Sequence, residues 1–421
     1  MFVRLSHTFV QKMKLNSAVF HSIFTPELKK LAAIFTNYGY DLRLVGGAVR
    51  DILDGKKPYD LDFATSATPD QMKKIFEKEN IRMLNTNGEK HGTITARIND
   101  RENFEITTLR MDISTDGRHA EVKYTTDWKI DAARRDLTVN SMYLSLDGTL
   151  HDYFNGYENL KDRKILFVGD TELRIKEDYL RILRYFRFFG RITNDPNMHD
   201  NSALKAIKNN ASGLSLISGE RIWSELSRIL SGNYAEEILK KMLDLGLAPF
   251  IGLPEKDDLD IESFEKICQL RSRYDFNPIS YIAVLLKDEN QIMRFHSRVK
   301  LSSYERDLAL FLINSKLESK ISLKYYQDLI VCKKEKLSYI IEFLKFKEEE
   351  DLIKKLESWE IPVFPINGHT LRSYGIKNGK QIGFILNKMK KIWVKSDFQL
   401  NKEDLLVKLP DITAKLKNEV S

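Results

Sequence analysis

The order of apolar and polar residues divides the chain into two parts of different secondary structure. Between Thr25 and Leu150, helix-like and strand-like patterns are mixed, beginning with a threonine N-cap, a proline and an amphipathic run from Leu28 to Phe35. From Thr171 onward, apolar residues recur at helical spacing. The pattern therefore predicts an α+β fold, with a small α/β head followed by an extended all-helical neck, body and tail.

Several boundaries within the head follow from local signals. The pattern predicts a helix and then three strands at 69–79, 81–85, 91–98 and 103–109. The segment from Arg110 to His119 is rich in Asp, Ser, Thr and Gly, which is typical of a mobile loop. The run from Val139 to Leu150 closes the head, with Asp147-Gly148 as a turn. We expect ordered structure to begin at Thr25.

The segment most informative about chemistry joins a double glycine to a pair of aspartates. An apolar run enters Gly46-Gly47 and leaves as a helix that carries Arg50, so bare N–H groups and a guanidinium can approach a phosphate. Asp60 and Asp62 alternate on an expected strand, which turns both carboxylates to one side, where two Mg²⁺ ions could be held. This arrangement predicts two-metal phosphoryl transfer. The glycine spacing fits neither the Walker loop nor the dinucleotide fingerprint.

This combination resembles the signature of the DNA polymerase β superfamily of nucleotidyltransferases. Within the superfamily it is most similar to the CCA-adding tRNA nucleotidyltransferases and their bacterial poly(A) polymerase relatives. Four later segments resemble further motifs of that family in order, with Leu137 in place of the usual aromatic: RRDLTVN at 134–140, DYFNG at 152–156, EDYLRILR at 177–184 and GERIW at 219–223. The similarity covers roughly residues 40 to 230 and is specific as a combination.

The resemblance implies an enzyme that adds CCA to the 3′ end of tRNA from CTP and ATP. It implies metal ligation and catalysis by Asp60 and Asp62, and Glu105 is a candidate third metal ligand. The nucleotide would be bound by Gly46, Gly47, Arg50, Arg135, Asp178, Arg181, Arg184 and Arg187. The implied divisions are a targeting segment at 1–24, a nucleotidyltransferase head at 25–165, a nucleotide-selecting neck at 166–235, a body at 236–350 and a tRNA-binding tail at 351–421.

The chemistry of Asp178 and Arg181 shows why this pair suits the selection of C and A. An ionised carboxylate only accepts hydrogen bonds, and a guanidinium only donates them. Cytosine and adenine each present an amino donor beside a ring-nitrogen acceptor, whereas uracil and guanine present the reverse order. Read as one continuous helix, residues 175–189 place Arg184 and Arg187 on the same half as this pair and an apolar core on the other half. Aromatic residues among the charges predict a partly covered cleft.

Charge adds a second candidate surface near the C-terminus. The net charge of +7 is mild support for a polyanionic partner. Residues 361–396 contain no acidic residue, and glycines punctuate the segment. Its basic residues predict RNA binding, although a solvated lysine-rich helix would explain them as well: Arg372, Lys377, Lys380, Lys388, Lys390 and Lys391.

The first residues have the composition of a mitochondrial presequence. Met1 to Pro26 contains no acidic residue but carries Arg4, Lys12 and Lys14 with apolar residues at four-residue spacing. A frayed basic terminus is the alternative. Translation starting at Met13 would give a cytosolic or nuclear form. No apolar run approaches membrane-spanning length, so we expect no membrane partner.

Two alternatives to CCA addition remain at this stage. Poly(A) polymerases share the head motifs but extend RNA with ATP alone, and a catalytically silent protein could use the same scaffold to bind RNA. The intact aspartate pair argues against the silent protein.

Overall fold

A computed structural model describes residues 13–84, 92–115, 120–316 and 321–419. Its contacts divide the chain into two compact units. The first comprises Met1–Asp257 with Phe295–Lys300, and the second comprises Asp258–Arg294 with Leu301–Ser421. The finer division into head, neck, body and tail stays a prediction.

The strands form one mixed sheet and one ribbon. In the sheet, the order is β1-β10-β9-β2-β3-β6-β5-β4, and β7 pairs only with β8 within the described part of the chain. The strands are β1 Met13–Lys14, β2 Leu42–Val45, β3 Asp62–Thr65, β4 Arg82–Leu84, β5 Thr93–Ile98, β6 Glu102–Thr108, β7 Arg110–Thr115, β8 Ala120–Tyr124, β9 Tyr143–Ser145 and β10 Thr149–His151.

In the described chain up to residue 192, eight α-helices alternate with or follow these strands. Further helices make up most of the remainder. The helices of the first unit are α1 Ala18–Ser22, α2 Pro26–Asn37, α3 Gly47–Leu53, α4 Pro69–Lys78, α5 Trp128–Ala133, α6 Gly156–Lys161, α7 Thr171–Glu177, α8 Arg181–Ile192, α9 Asn201–Asn209, α10 Gly219–Leu230 and α11 Ala235–Asp244. The later helices are α12 Ile261–Leu270, α13 Pro278–Leu285, α14 Glu289–Val299, α15 Ser303–Ser315, α16 Leu323–Asp328, α17 Leu337–Lys347, α18 Glu350–Glu357, α19 Gly368–Ser373, α20 Gly379–Lys395, α21 Lys402–Val407 and α22 Leu409–Glu419. The α+β prediction is confirmed.

Strand pairing at the centre of the sheet positions the aspartates. β3 runs antiparallel to β2, which enters the double glycine, and parallel to β6. In this register Asp62 lies beside Glu105. Apolar residues such as Phe63 and Phe104 pack edge to face at 5.8 Å on the opposite side of these strands. The sheet therefore buries one face and presents the two carboxylates on the other.

Two predicted boundaries of the head are wrong. Residues Arg110 onward form β7 of an antiparallel ribbon with β8, where we predicted a mobile loop; residues 116–119 lie outside the described residues. The turn-forming residues of this segment do not predict strands. The ribbon is stabilised by cross-strand pairing and not by local propensity. Ordered structure also begins before Thr25. Met13 and Lys14 pair with β10, and Phe20 is only 3% exposed.

The continuous helix predicted across 175–189 is also wrong, because it breaks at Asp178. α7 ends at Glu177, and Asp178 has the extended backbone angles φ −152° and ψ 105°. Its Oδ1 atom accepts the Leu180 N–H at 3.1 Å, and α8 begins at Arg181 without a side-chain cap. Ile182, Phe186 and Phe189, which the helical pattern places on the apolar half, are nevertheless buried. No helix in the described ranges is long and apolar enough to cross a membrane.

Candidate active site

The first unit contains a cavity of about 1190 Å³. All residues predicted to bind the nucleotide or to act in catalysis line it: Gly46, Gly47, Arg50, Asp60, Asp62, Arg135, Asp178, Arg181, Arg184 and Arg187. Arginines outnumber carboxylates among its described lining residues, so the cavity suits a polyanion.

The aspartate pair lies where β3 begins. Asp62 is the first residue of β3, whereas Asp60 lies in the bend before it, so the prediction that both stand on a strand is wrong for Asp60. Partial burial and the negative charges of Glu105 and Asp60 raise the pKa of Asp62. Within the described residues, no group of three His, Cys, Asp or Glu side chains is arranged to hold a metal ion. The assignment of Glu105 as a third ligand therefore stays a prediction.

The double glycine brings the chain to the cavity wall beside Arg50. Gly46 has φ +61° and ψ −121°, a conformation that side chains other than glycine rarely adopt. Arg50 is 3% exposed, donates to Asn140 Oδ1 and lies 5.0 Å from the centre of the Phe188 ring. Burial and the nearby Arg191 lower the pKa of Arg50 to about 10. An anion in the cavity would lessen the electrostatic cost of this buried charge.

A buried carboxylate that we did not predict holds the RRDLTVN segment. Asp131 is 1% exposed and accepts hydrogen bonds from Arg134 at 2.8 Å, from Arg135 at 3.3 Å and from the Tyr143 hydroxyl at 2.6 Å. It also accepts the Arg110 backbone N–H at 3.0 Å, which ties the ribbon to this network. Burial opposes ionisation, but the two guanidinium groups outweigh it and lower the pKa of Asp131 to about 2.

A second buried aspartate connects the same segment to α8. Arg184 Nε donates to Asp136 Oδ2 at 2.6 Å. The other oxygen of Asp136 accepts from the Leu137 N–H at 2.8 Å and from the Asn140 side chain at 3.3 Å. Since Asn140 also accepts from Arg50, a chain of hydrogen bonds runs from α3 to α8 behind the cavity.

The two residues expected to read the base already have partners in the structure. Arg181 donates to Glu177 at 2.6 Å and to the carbonyl oxygens of Arg174 and Arg134, each at 2.9 Å. Arg221 donates to Asp178 at 2.8 Å. These bonds fix the position of both side chains at the cavity wall.

Sequence reasoning missed part of the lining. Some of the missed lining residues belong to the motifs quoted above. Arg110 and Asp112 lie on the ribbon that was predicted to be a loop. Four others carried no sequence signal: Arg191, Arg228, Gly232 and Asn233. The lining residues outside the predicted set are Arg110, Asp112, Arg134, Asp136, Asn140, Glu177, Leu180, Phe188, Arg191, Arg221, Arg228, Gly232 and Asn233.

The basic segment of the second unit is centred on α20. Ile385, Met389 and Trp393 are buried on one side of this helix. Lys380, Lys388, Lys391 and Lys395 are exposed, and at 100° per residue they fall on one stripe. Arg372 and Lys377, which precede the helix, are exposed too. Lys390 is the exception among the predicted RNA-binding residues, because it is partly buried and donates to the Val331 carbonyl oxygen at 3.3 Å.

Comparison with known proteins agrees with these features. Residues 42–166 match the family model described as "Poly A polymerase head domain", and residues 200–258 match "Probable RNA and SrmB- binding site of polymerase A". The chain is 49% identical over 402 residues to human CCA tRNA nucleotidyltransferase 1, mitochondrial, covering 94% of this chain and 92% of the relative. It is 48% identical to the zebrafish (Danio rerio) protein of that name, with 94% and 93% covered.

Solved structures show the same fold. The CCA-adding enzyme of Bacillus stearothermophilus in complex with CTP superimposes with a TM-score of 0.72 at 24% identity, covering 94% of this chain and all of that one. The Thermotoga maritima enzyme complexed with tRNA gives a TM-score of 0.65 at 20% identity, covering 96% and 99%. Given the extent and identity of the match to the vertebrate proteins, this chain belongs to the CCA tRNA nucleotidyltransferase family.

Proposed function

We propose that this protein adds CCA to the 3′ end of tRNA, using CTP and ATP and releasing pyrophosphate. The observation that carries the proposal is that one cavity brings together an aspartate pair, an arginine-rich wall and the Asp178–Arg181 pair. These groups respectively suit metal binding, triphosphate binding and base selection. The relatives named CCA tRNA nucleotidyltransferase, which match nearly the whole chain, support the same reaction.

The residues at the start of β3 fit a divalent cation of the Mg²⁺ type. Carboxylate oxygens are the ligands that Mg²⁺ prefers, and a cation would relieve the repulsion that raises the pKa of Asp62. Asp60 and Asp62 would hold it, with Glu105 next to Asp62 in the register as a candidate third ligand. When bound, such ions activate an attacking hydroxyl and stabilise charge on a triphosphate.

The rest of the cavity would orient the nucleotide. Arg50 lies beside Gly46 and Gly47, where its guanidinium would pair with phosphate oxygens. Asp178 would accept the amino group of cytosine or adenine, and Arg181 would donate to the adjacent ring nitrogen. Because Asp178 and Arg181 are held by neighbours on the protein, they would meet a base in a fixed geometry. A rigid pair explains how a protein without a nucleic-acid template could reject UTP and GTP.

A single incubation series tests the function. Recombinant protein, Mg²⁺ and each labelled nucleotide would be incubated with tRNAs ending before, within or after CCA. CCA addition predicts that the first two are completed and the last is not extended. Poly(A) polymerase activity predicts ATP-only extension of all three, and a silent RNA-binding protein predicts none.

The aspartate pair supplies the matched control for this assay. Asp60→Ala or Asp62→Ala should abolish incorporation of both CTP and ATP while tRNA binding and the melting temperature stay near those of the parent protein. Neither side chain is packed in the core, so their removal costs little packing. Turnover retained by either variant in Mg²⁺ would overturn the metal assignment.

We further propose that the protein acts in mitochondria, with a second form beginning at Met13 that stays in the cytosol or enters the nucleus. The vertebrate relatives are named mitochondrial, and the acid-free basic segment ahead of Met13 supports import. Expression of tagged chains beginning at Met1 or Met13 would test this. Mitochondrial location of the shorter chain would contradict it.

A further inference from the structure

Tyr59 is the most exposed of the large apolar side chains that the structure describes. It is 98% exposed, although an aromatic ring in a folded protein usually buries most of its surface. The residue directly precedes Asp60. The ring is therefore accessible to a substrate that reaches Asp60.

The loop that carries Tyr59 is anchored at its base. This loop joins α3 to β3 and begins at Asp54, whose two carboxylate oxygens both accept from Arg163 Nη1, at 3.0 and 2.9 Å. Pro58 is buried, whereas Lys56, Lys57 and Tyr59 are exposed. The loop thus presents two cations and one ring from a fixed base.

The ring lies outside the nucleotide cavity. Asp60 and Asp62 line that cavity, but Tyr59 is not among its lining residues. The arginines that would bind the triphosphate line the same cavity as the aspartates. In phosphoryl transfer the attacking and leaving oxygens are roughly in line, so the attacking hydroxyl must approach from the side away from the pyrophosphate. Tyr59 directly precedes Asp60 in the chain, and its ring is exposed to solvent instead of lining the cavity.

We propose that Tyr59 stacks on the base at the 3′ end of the acceptor RNA, and that Lys56 and Lys57 contact the phosphates of that strand. The inference rests on the proposed function. Stacking on an aromatic ring tolerates any base, because every base has a π-face. That tolerance suits an acceptor whose last base changes after each addition. The lysines would contribute affinity that carries no base information.

The test compares Tyr59→Ala with Tyr59→Phe, which keeps the ring and removes only the hydroxyl. We expect Tyr59→Ala to raise the KM for a tRNA acceptor minihelix about 5- to 30-fold, the equivalent of roughly 1–2 kcal/mol of stacking. The KM for CTP should stay within about twofold, and Tyr59→Phe should match the parent protein. Changing Lys56 and Lys57 together to Ala should reduce the slope of acceptor affinity against log salt.

Two results would overturn the inference. One is an acceptor KM in Tyr59→Ala equal to that of the parent protein, and the other is an equal loss in Tyr59→Phe, which would assign the effect to the hydroxyl. Melting temperatures serve as the folding control, since an exposed side chain should not change them. If the parent protein extended no tRNA at all, the proposed function itself would fail. A parent protein that extends tRNA with no contribution from Tyr59 would overturn only the stacking inference.

Discussion

The side chains around Asp178 show how single residues divide their roles in the cavity. Asp178 accepts from Leu180 N–H and from Arg221, and each of its oxygens keeps a further lone pair for a base. Arg187 of α8 pairs with Glu225 of α10 at 3.1 Å. The helix of the GERIW segment therefore supplies both a cation for Asp178 and an anion for Arg187. This arrangement assigns Arg221 a positioning role.

Replacing Asp178 tests the selection of bases. Asp178→Ala should reduce discrimination against UTP and GTP by about one to two orders of magnitude, because each mismatched buried group costs roughly 1–3 kcal/mol. CTP turnover should also slow, since the base is less well oriented. Steady-state kcat/KM for each of the four nucleotides provides the measurement.

Arg221 provides the companion variants for the same experiment. Arg221→Met should relax selection less than Asp178→Ala, and Arg221→Lys should restore part of the loss. A uniform slowing for every nucleotide in both Asp178→Ala and Arg221→Met, with selectivity intact, would contradict a base-reading role for Asp178.

At the scale of elements, a histidine packs against α8 and contributes to its stability. The ring of His199 stacks on Phe189 with centroids 3.7 Å apart, and its Nδ1 atom lies 3.1 Å from the Tyr185 hydroxyl. Its Nε2 atom has no hydrogen-bond partner in the described part of the chain. Burial and the nearby Lys241 lower the pKa of His199 to about 4. The neutral, partly buried ring thus packs against α8, the helix that we propose selects the base.

The lowered pKa predicts acid sensitivity. Because the folded pKa lies below the unfolded value of 6.5, the folded state opposes protonation, and stability is lost as the pH falls from 6.5 toward 4. We expect a contribution of up to roughly 2 kcal/mol at pH 5 relative to pH 8. Denaturant unfolding of the parent protein and of His199→Phe at both pH values measures it.

The phenylalanine variant separates stacking from titration. His199→Phe keeps the stacked ring but has no group to protonate, so its stability should change less over this range. Parallel pH profiles for the two proteins would show that other groups cause the acid loss.

At the N-terminus, tertiary contacts decide where the ordered structure begins. β1 covers the edge of β10, and the Leu15 N–H donates to the Gly148 carbonyl oxygen at 2.7 Å. Phe20 and Ile23 are each 3% exposed. A chain starting at Thr25 should therefore unfold at lower temperature than one starting at Met13, since it loses two buried apolar side chains worth about 1.5–3 kcal/mol each. Thermal unfolding of the two truncated chains provides the comparison, and equal melting temperatures would contradict the structural role.

At the scale of the whole molecule, recognition of a long RNA needs charge beyond the catalytic cavity. In the second unit, we propose the exposed lysine stripe of α20 as its source. Lys380→Ala, Lys388→Ala and Lys391→Ala combined should weaken tRNA affinity and reduce its dependence on salt, without changing the preference for C or A, because phosphate contacts carry no base information. Binding isotherms at several salt concentrations measure the slope.

Lys390 offers the matched control for the stripe. Its ammonium group is already bonded to the Val331 carbonyl oxygen, so Lys390→Ala should affect stability more than the salt slope. An unchanged slope in the triple variant would mean that the stripe is only a solvated helix face.

The sequence predicted ten of the residues that line the cavity, because most of these lie in short motifs with local geometry. Thr25 caps α2 as predicted, and the Thr68 capping box begins α4. The predicted nucleotide residues line one cavity, although Asp60 lies before β3 and the predicted helix breaks at Asp178. Arg110 and Arg221 were missed as partners because they bond to residues distant in the chain. Asp131 was missed because its role depends on its burial, which the sequence does not show.

The sequence by itself determined the α+β order of elements, the family and the set of side chains that would face a nucleotide, because caps, periodicity and motif spacing are local properties. Only the tertiary structure decided that α7 and α8 break at Asp178, that Arg110 begins a strand, and that Met13 to Ile23 belong to the fold. The two strands pair with other segments of the chain, and Asp178 at the break accepts a hydrogen bond from Arg221. Local propensity carries no information about such partners, whereas their burial and pairing set the free energy of the folded state.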